Sequence, residues 1–149
     1  MDEIKAITLG KIIDEGQSIF KEHYEEIATN KELMKLDPDY EVYASLDKNG
    51  KIFILGAFQD GQLVGYSLNI MYQHLHYSGL KICTNDILFI QKKHRKGGQG
   101  AELILKTEEE AKARGVKIMM WPVNKGSKLD SLMKLKNYKP HNIIYSKEL

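Results

Sequence analysis

The period of the apolar positions changes several times along the chain. A short alternation over residues 4–9 predicts a strand. Over residues 11–28, Ile12, Ile19, Phe20, His23 and Ile27 recur near one face of a single helix. Asp37-Pro38 reads as an N-cap followed by proline in the first turn, with Val42, Tyr43 and Leu46 facing inward and Asn49-Gly50 ending the helix. The period then drops to two. Residues 52–59 and 62–77 predict two strands joined at Asp60-Gly61, a pair suited to a tight hairpin because both positions take positive φ. Val64, Tyr66, Leu68, Ile70 and Tyr72 alternate along the second, as in a ribbon buried on one face. Ser78-Gly79 turns the chain into a third strand, 80–90, and completes an antiparallel meander.

Beyond residue 91 the helical period returns. Gly100, Leu103, Ile104, Thr107 and Ala111 mark a helix over 98–114, closed by Arg114-Gly115. A strand is predicted over 116–121. Ser127 and Asp130 form a capping box that opens a helix with Leu129, Leu132 and Met133 inside. A last strand is expected over 142–146. The order β-α-α-β-β-β-α-β-α-β predicts an α/β domain with a mixed sheet.

With 149 residues and no linker or repeat, residues 1–149 read as a single domain. The single cysteine, Cys83, excludes an internal disulfide framework. No apolar run approaches the ~18 residues of a membrane span, so no membrane partner is expected. The start, Met1-Asp2-Glu3-Ile4-Lys5, lacks the basic and apolar regions of a secretory signal, and a cytoplasmic location is expected. The net charge is only +2, but it is unevenly placed: residues 1–90 carry 8 Lys/Arg against 14 Asp/Glu (net −6), and residues 91–149 carry 14 against 6 (net +8). That asymmetry suits an anionic ligand in the second half, or simply segregated surface helices.

The segment richest in chemistry joins the third meander strand to the next helix. Lys92, Lys93, Arg95 and Lys96 lie in a loop, followed by Gly97-Gly98-Gln99-Gly100-Ala101 and the helix. Glycines let backbone approach a ligand, and first-turn amides lack internal acceptors, so the pattern suits a pyrophosphate. A solvated basic loop is the bland alternative. A P-loop is excluded because Ala101-Glu102, not Lys-Ser/Thr, follows Gly100. A dinucleotide-binding Rossmann motif would follow the first strand of a βαβ unit, whereas this loop follows a meander.

What remains, Arg95-Lys96-Gly97-Gly98-Gln99-Gly100 after the strand residues Leu88-Phe89-Ile90, resembles the acyl-CoA signature of the GNAT superfamily of N-acetyltransferases. The element order resembles that family over nearly the whole chain. The resemblance implies a mostly antiparallel mixed sheet of about seven strands, splayed between the fourth and fifth, and about four helices. It implies acetyl-CoA as co-substrate, with pantetheine beside Leu88, Phe89 and Ile90 and pyrophosphate on Arg95 to Ala101. The amide of Leu88 would polarise the thioester carbonyl. The acceptor would be a primary amine, on a small molecule, a protein or a modified nucleobase. Spacing from Trp121 through Gly126-Ser127 to Asn137-Tyr138, with the closing Ile144-Tyr145-Ser146-Lys147-Glu148-Leu149, resembles small members encoded by tailed phages.

Direct attack by an amine requires a proton acceptor, and Asp86, two residues before Leu88, is the candidate catalytic base; a surface or bulge-capping role is the alternative. The family's usual general-acid tyrosine aligns with Met133, so that group is missing. Tyr138 falls at a core aromatic position, and the family's cofactor-contacting asparagine falls at Gly126. A CoA-binding module without turnover is therefore a second reading. A basic nucleic-acid-binding protein is a third, which the concentration of charge at a glycine loop disfavours. His74 and His76 alternate on the predicted strand, but no HExxH or Cys/His cluster accompanies them, and no metal site is expected. Glu22, Glu25, Glu26 and Glu32 would steer a cationic amine or solvate a helix. A homodimer paired through an edge strand is a topological expectation.

Overall fold

The computed structural model describes residues 2–149, and Met1 lies outside them. Five strands and five α-helices are present among these residues: β1 (Glu3–Ile7), α1 (Leu9–Glu15), α2 (Gln17–Ile27), α3 (Tyr40–Lys48), β2 (Ile52–Gln59), β3 (Gln62–Gln73), β4 (Lys81–Ile90), α4 (Gln99–Ala113), β5 (Ile118–Met120) and α5 (Lys128–Leu135). A single 3-10 turn, Lys92–His94, precedes α4. The sheet runs β1-β2-β3-β4-β5, antiparallel except for the parallel β4–β5 pair.

Both faces of the sheet are covered. α1 and α2 bury Leu9, Ile12 and Ile19 against Ile54, Phe58, Tyr66, Leu68 and Phe89. On the opposite face, α4 sets Leu103 against Leu55, Ala57, Val64 and Ile90, and Ala111 against Phe53, Met71 and Cys83. β3 is therefore not the one-sided ribbon its alternation predicts. Ser67 and Asn69, on its polar face, are fully buried under α4. They are tolerated there because they bond to one another, to Asn85 and to Thr107 of α4.

Five further expectations need correction. The seven strands and four helices implied by the resemblance are five and five among the described residues. The single helix over 11–28 divides at Gly16: its amide closes α1 on Ile12 O, and its own carbonyl accepts from Phe20 to begin α2. A Cβ at Gly16 would stand 2.3 Å from Ile12 O, so the close approach at the break needs glycine. α3 is capped by Asp39, whose carboxylate accepts from Val42 N, so Asp37-Pro38 stays outside the helix and Val42 is exposed. The strand expected over 142–146 has no ladder partner, and Ile143, Ile144 and Tyr145 are exposed. The second meander strand stops at Gln73, which leaves His74 and His76 in the following turn with their rings 6.0 Å apart.

Candidate functional site

β4 supplies one wall of the site. Its first part pairs with β5 only at Ile82, Cys83 and Thr84; from Asn85 to Ile90 it is laddered to β3 alone. Leu88, Phe89 and Ile90 thus lie on a strand with one open edge. Opposite Leu68 and Asn69 the register slips, so that Asp86 is the extra residue of a bulge. Asn85 spans the slip: its Nδ2 lies 2.9 Å from both Ile87 O and Asn69 Oδ1. Asp86 is thereby exposed, and Tyr43 of α3 donates to its Oδ2 at 2.7 Å. Burial, then this carboxylate, pushes the Tyr43 phenol well above its ordinary value, so it stays a donor at neutral pH.

The chain leaves the open end of β4 directly into the basic loop. Gly97 and Gly98 take φ of 100° and 83°, a left-handed conformation, and neither has an atom within 4 Å of where a Cβ would stand. Gly98 caps α4 without a side chain, and the first intrahelical bond runs from Glu102 N to Gly98 O. The amides of Gln99, Gly100 and Ala101 therefore have no acceptor within the helix and lie at its positive end. Glycine backbone, open space and unpaired amides together fit a pyrophosphate. Lys92, Lys93 and Lys96 are exposed alongside. Gln99 is different: its side chain is buried, its Nε2 donates to Phe58 O, and it anchors the helix start to β2.

Arg95 does not point its charge at this cradle. Its Nη1 and Nη2 grip both oxygens of Glu26 at 2.9 and 2.6 Å, its Nε donates to Ile90 O, and its guanidinium lies over the Phe89 ring. One turn earlier on α2, Glu22 accepts from Lys92 N and Gln91 Nε2. Two glutamates four residues apart thus clasp Gln91, Lys92 and Arg95. The sequence raised Glu22 and Glu26 only as steering or solvating charges. Their matched spacing with Gln91 and Arg95 is the signal that was there to be read.

On the α1–α3 side of β4 lies a cavity of about 370 Å³, within the ~300–1,000 Å³ range of small-ligand pockets. Phe20, His23 and Tyr24 of α2, Tyr43 of α3 and Tyr66, Leu68 and Ile87 of the sheet line it. Ile87 and Tyr43 connect it to the bulge. Burial holds the His23 imidazole below its ordinary 6.5, so this wall is uncharged at neutral pH. The sequence placed several of these side chains inward but could not show that they leave space between them.

Met133 is buried where α5 meets α4, beside Ala101, Ile104 and Leu105, and its thioether has no proton to donate. Tyr138 and Trp121 both donate to Glu108 Oε1, at 2.6 and 3.0 Å. Cys83 is buried under α4, and burial pushes its thiol up to about 12, which leaves it without nucleophilic character. Among the described residues no helix is long and apolar enough to cross a membrane.

The chain matches the acetyltransferase (GNAT) family over residues 17–129. Among curated proteins none matches the sequence. Several solved structures share the fold. An aminoglycoside acetyltransferase from an uncultured soil metagenomic sample is 14% identical with a TM-score of 0.77, covering 100% of this chain and 99% of its own. A ribosomal-protein-alanine N-acetyltransferase from Brucella melitensis biovar Abortus 2308 is 17% identical with a TM-score of 0.69, over 100% and 97%. A predicted acetyltransferase with acetyl-CoA from Clostridium acetobutylicum is 12% identical with a TM-score of 0.76, over 99% and 96%. With more than half its length matched to the family, and with a strand edge and helix start suited to the ligand of that family, the chain belongs to the acetyltransferase (GNAT) family and is by that membership an N-acetyltransferase.

Proposed function

We propose that the protein transfers an acetyl group from acetyl-CoA to a primary amine held in the cavity between α1–α3 and β4. The observation that carries this reading is the continuity of three features: an open strand edge over Asn85–Ile90, an α4 start without a side-chain cap beyond it, and a cavity against the same strand. Acetyl-CoA would supply an activated acetyl carbon, which bonds to the amine nitrogen as the bond to sulfur breaks and sulfur keeps the electron pair. Leu88, Phe89 and Ile90 would align the pantetheine arm, with the Leu88 amide facing the thioester oxygen. The amides from Gly97 to Ala101 would hold the pyrophosphate. Arg95 keeps the loop in place through Glu26, and Lys96 adds exposed positive charge. Asp86 would take the proton that the amine releases, through a water, while Tyr43 holds its carboxylate. The departing sulfur would draw its proton from solvent, since Met133 cannot give one.

The buried Met133 favours one second reading, a CoA-binding protein with little turnover. The likeness to the small tailed-phage group rests on the spacing from Trp121 to Tyr138 and on the C-terminal residues, and it belongs to this proposal, as do a cytoplasmic setting and a homodimer. Calorimetric titration of the full chain with acetyl-CoA, with NAD and ATP as controls, tests the core of it. Selective acetyl-CoA binding is expected; equal binding of all three, or of none, would sink the assignment. Thiol release in the presence of amines then separates turnover from binding alone. Light scattering of the same sample at the 17.1 kDa monomer mass would remove the homodimer.

A further inference from the structure

The composition of the cavity restricts the amine, and the argument rests on the reading just given. Its floor is made of Ile12, Tyr66 and Leu68, exposed by 1%, 1% and 4%. Its mouth is apolar as well: Ile27, Met34 and Leu36 line it and remain 47%, 57% and 44% exposed. Among the described residues the Lys and Asp side chains that line it are Lys35 and Asp37, both on the exposed segment between α2 and α3. An apolar rim above an apolar floor is a surface that gains by being covered with apolar matter.

Asp37 lines the mouth, but the three glutamates of α2 that could have received a polycation are turned elsewhere. Glu22 accepts from Lys92 and Gln91, Glu25 pairs with Lys31, and Glu26 pairs with Arg95. A molecule with several ammonium groups would have to leave most of them unpaired against Ile12, Tyr66 and Leu68, where an uncompensated charge is costly. A single ammonium meets a better reception. Tyr43 of the wall donates to the Asp86 carboxylate at 2.7 Å, so a nitrogen beside Tyr43 lies near a negative charge. Apolar surroundings also favour loss of the ammonium proton, which attack on a thioester requires.

We propose that the acceptor is a monoamine in which a single aromatic ring sits on a short alkyl arm, the ring lying in the cavity lined by Phe20, Tyr24 and Tyr66 and the nitrogen reaching toward Asp86. The polyamine and aminoglycoside classes are disfavoured substrates, although an aminoglycoside acetyltransferase shares the fold at 14% identity.

Steady-state thiol release at saturating acetyl-CoA, with phenethylamine, spermidine and kanamycin as acceptors, tests this. We expect kcat/KM for phenethylamine to exceed that of either polycation by about 100-fold, the scale on which a cavity separates apolar from unpaired polar groups. Met34→Asp changes an exposed rim residue outside the donor loop. It should lower phenethylamine kcat/KM roughly tenfold and leave acetyl-CoA affinity unchanged. Equal or faster turnover of spermidine or kanamycin overturns the proposal. If acetyl-CoA binds and no amine is turned over, calorimetric titration of phenethylamine into the acetyl-CoA complex decides: absent binding overturns the monoamine assignment while the donor-site reading stands. Failure of acetyl-CoA itself to bind would overturn both, and is read in a separate titration.

Discussion

In a regular strand Asn85, Asp86 and Ile87 would alternate between the two faces of the sheet. The slip opposite Leu68 and Asn69 removes that alternation, and Asp86 faces α3, where Tyr43 meets it. Asn85 makes the slip tolerable by bonding across it to Ile87 O, a group that would otherwise lose part of its ladder. If Asp86 takes the proton, Asp86→Asn should cut kcat about 100-fold and leave acetyl-CoA affinity as it was. A rate and pH–rate profile unchanged from the parent would remove Asp86 as base. Sequence placed this aspartate on the right strand near Leu88, because strand and loop were both legible from pattern. It raised a bulge only as an alternative role for Asp86, since a one-residue slip depends on the partner strand and is not written in the local sequence.

At the scale of elements, α2 and the donor loop depend on one another. The Arg95 hydrogen bonds hold the Glu26 carboxyl below its ordinary 4.5. Because the folded value is the lower one, the pair contributes stability above the unfolded value and loses it as pH falls through the folded value. Both partners are a third or more exposed, so the contribution is at most about 1 kcal/mol. Glu26→Gln should therefore barely change the melting temperature at neutral pH, yet weaken acetyl-CoA by severalfold and flatten the acid side of the affinity profile; unchanged affinity would mean the loop holds its shape without the clasp. Gly100→Leu provides the complementary case. Gly100 is helical and its Cβ would meet only Ile90 Cδ1, at 3.9 Å, so the fold should survive while the approach to the first-turn amides is blocked. The helix start was legible because three glycines after a basic run have few other uses. The clasp was not, because it joins residues 69 and 70 positions apart.

For the molecule as a whole, the opposed charges of the two halves turn out to be partly satisfied within it. The acidic face of α2 closes on the basic loop, so the asymmetry visible in the sequence serves internal docking as well as any anionic ligand. The C-terminal strand was misjudged for a related reason. Ile143, Ile144 and Tyr145 have the composition of a strand, but strand formation requires a neighbour, and none of the described residues pairs with them. The position of α2 has a further consequence. Glu22 and Glu26 of this helix hold the basic loop, while Phe20, His23 and Tyr24 line the cavity. On the proposed reading one rod is shared by both substrates, and a shift that one of them imposes on it is felt by the other. Thermodynamic reciprocity then requires the factor by which a bound amine alters acetyl-CoA affinity to equal the factor by which acetyl-CoA alters amine affinity. Paired titrations on the parent chain should give a factor different from one, and Glu26→Gln should bring it toward one by uncoupling the rod from the loop.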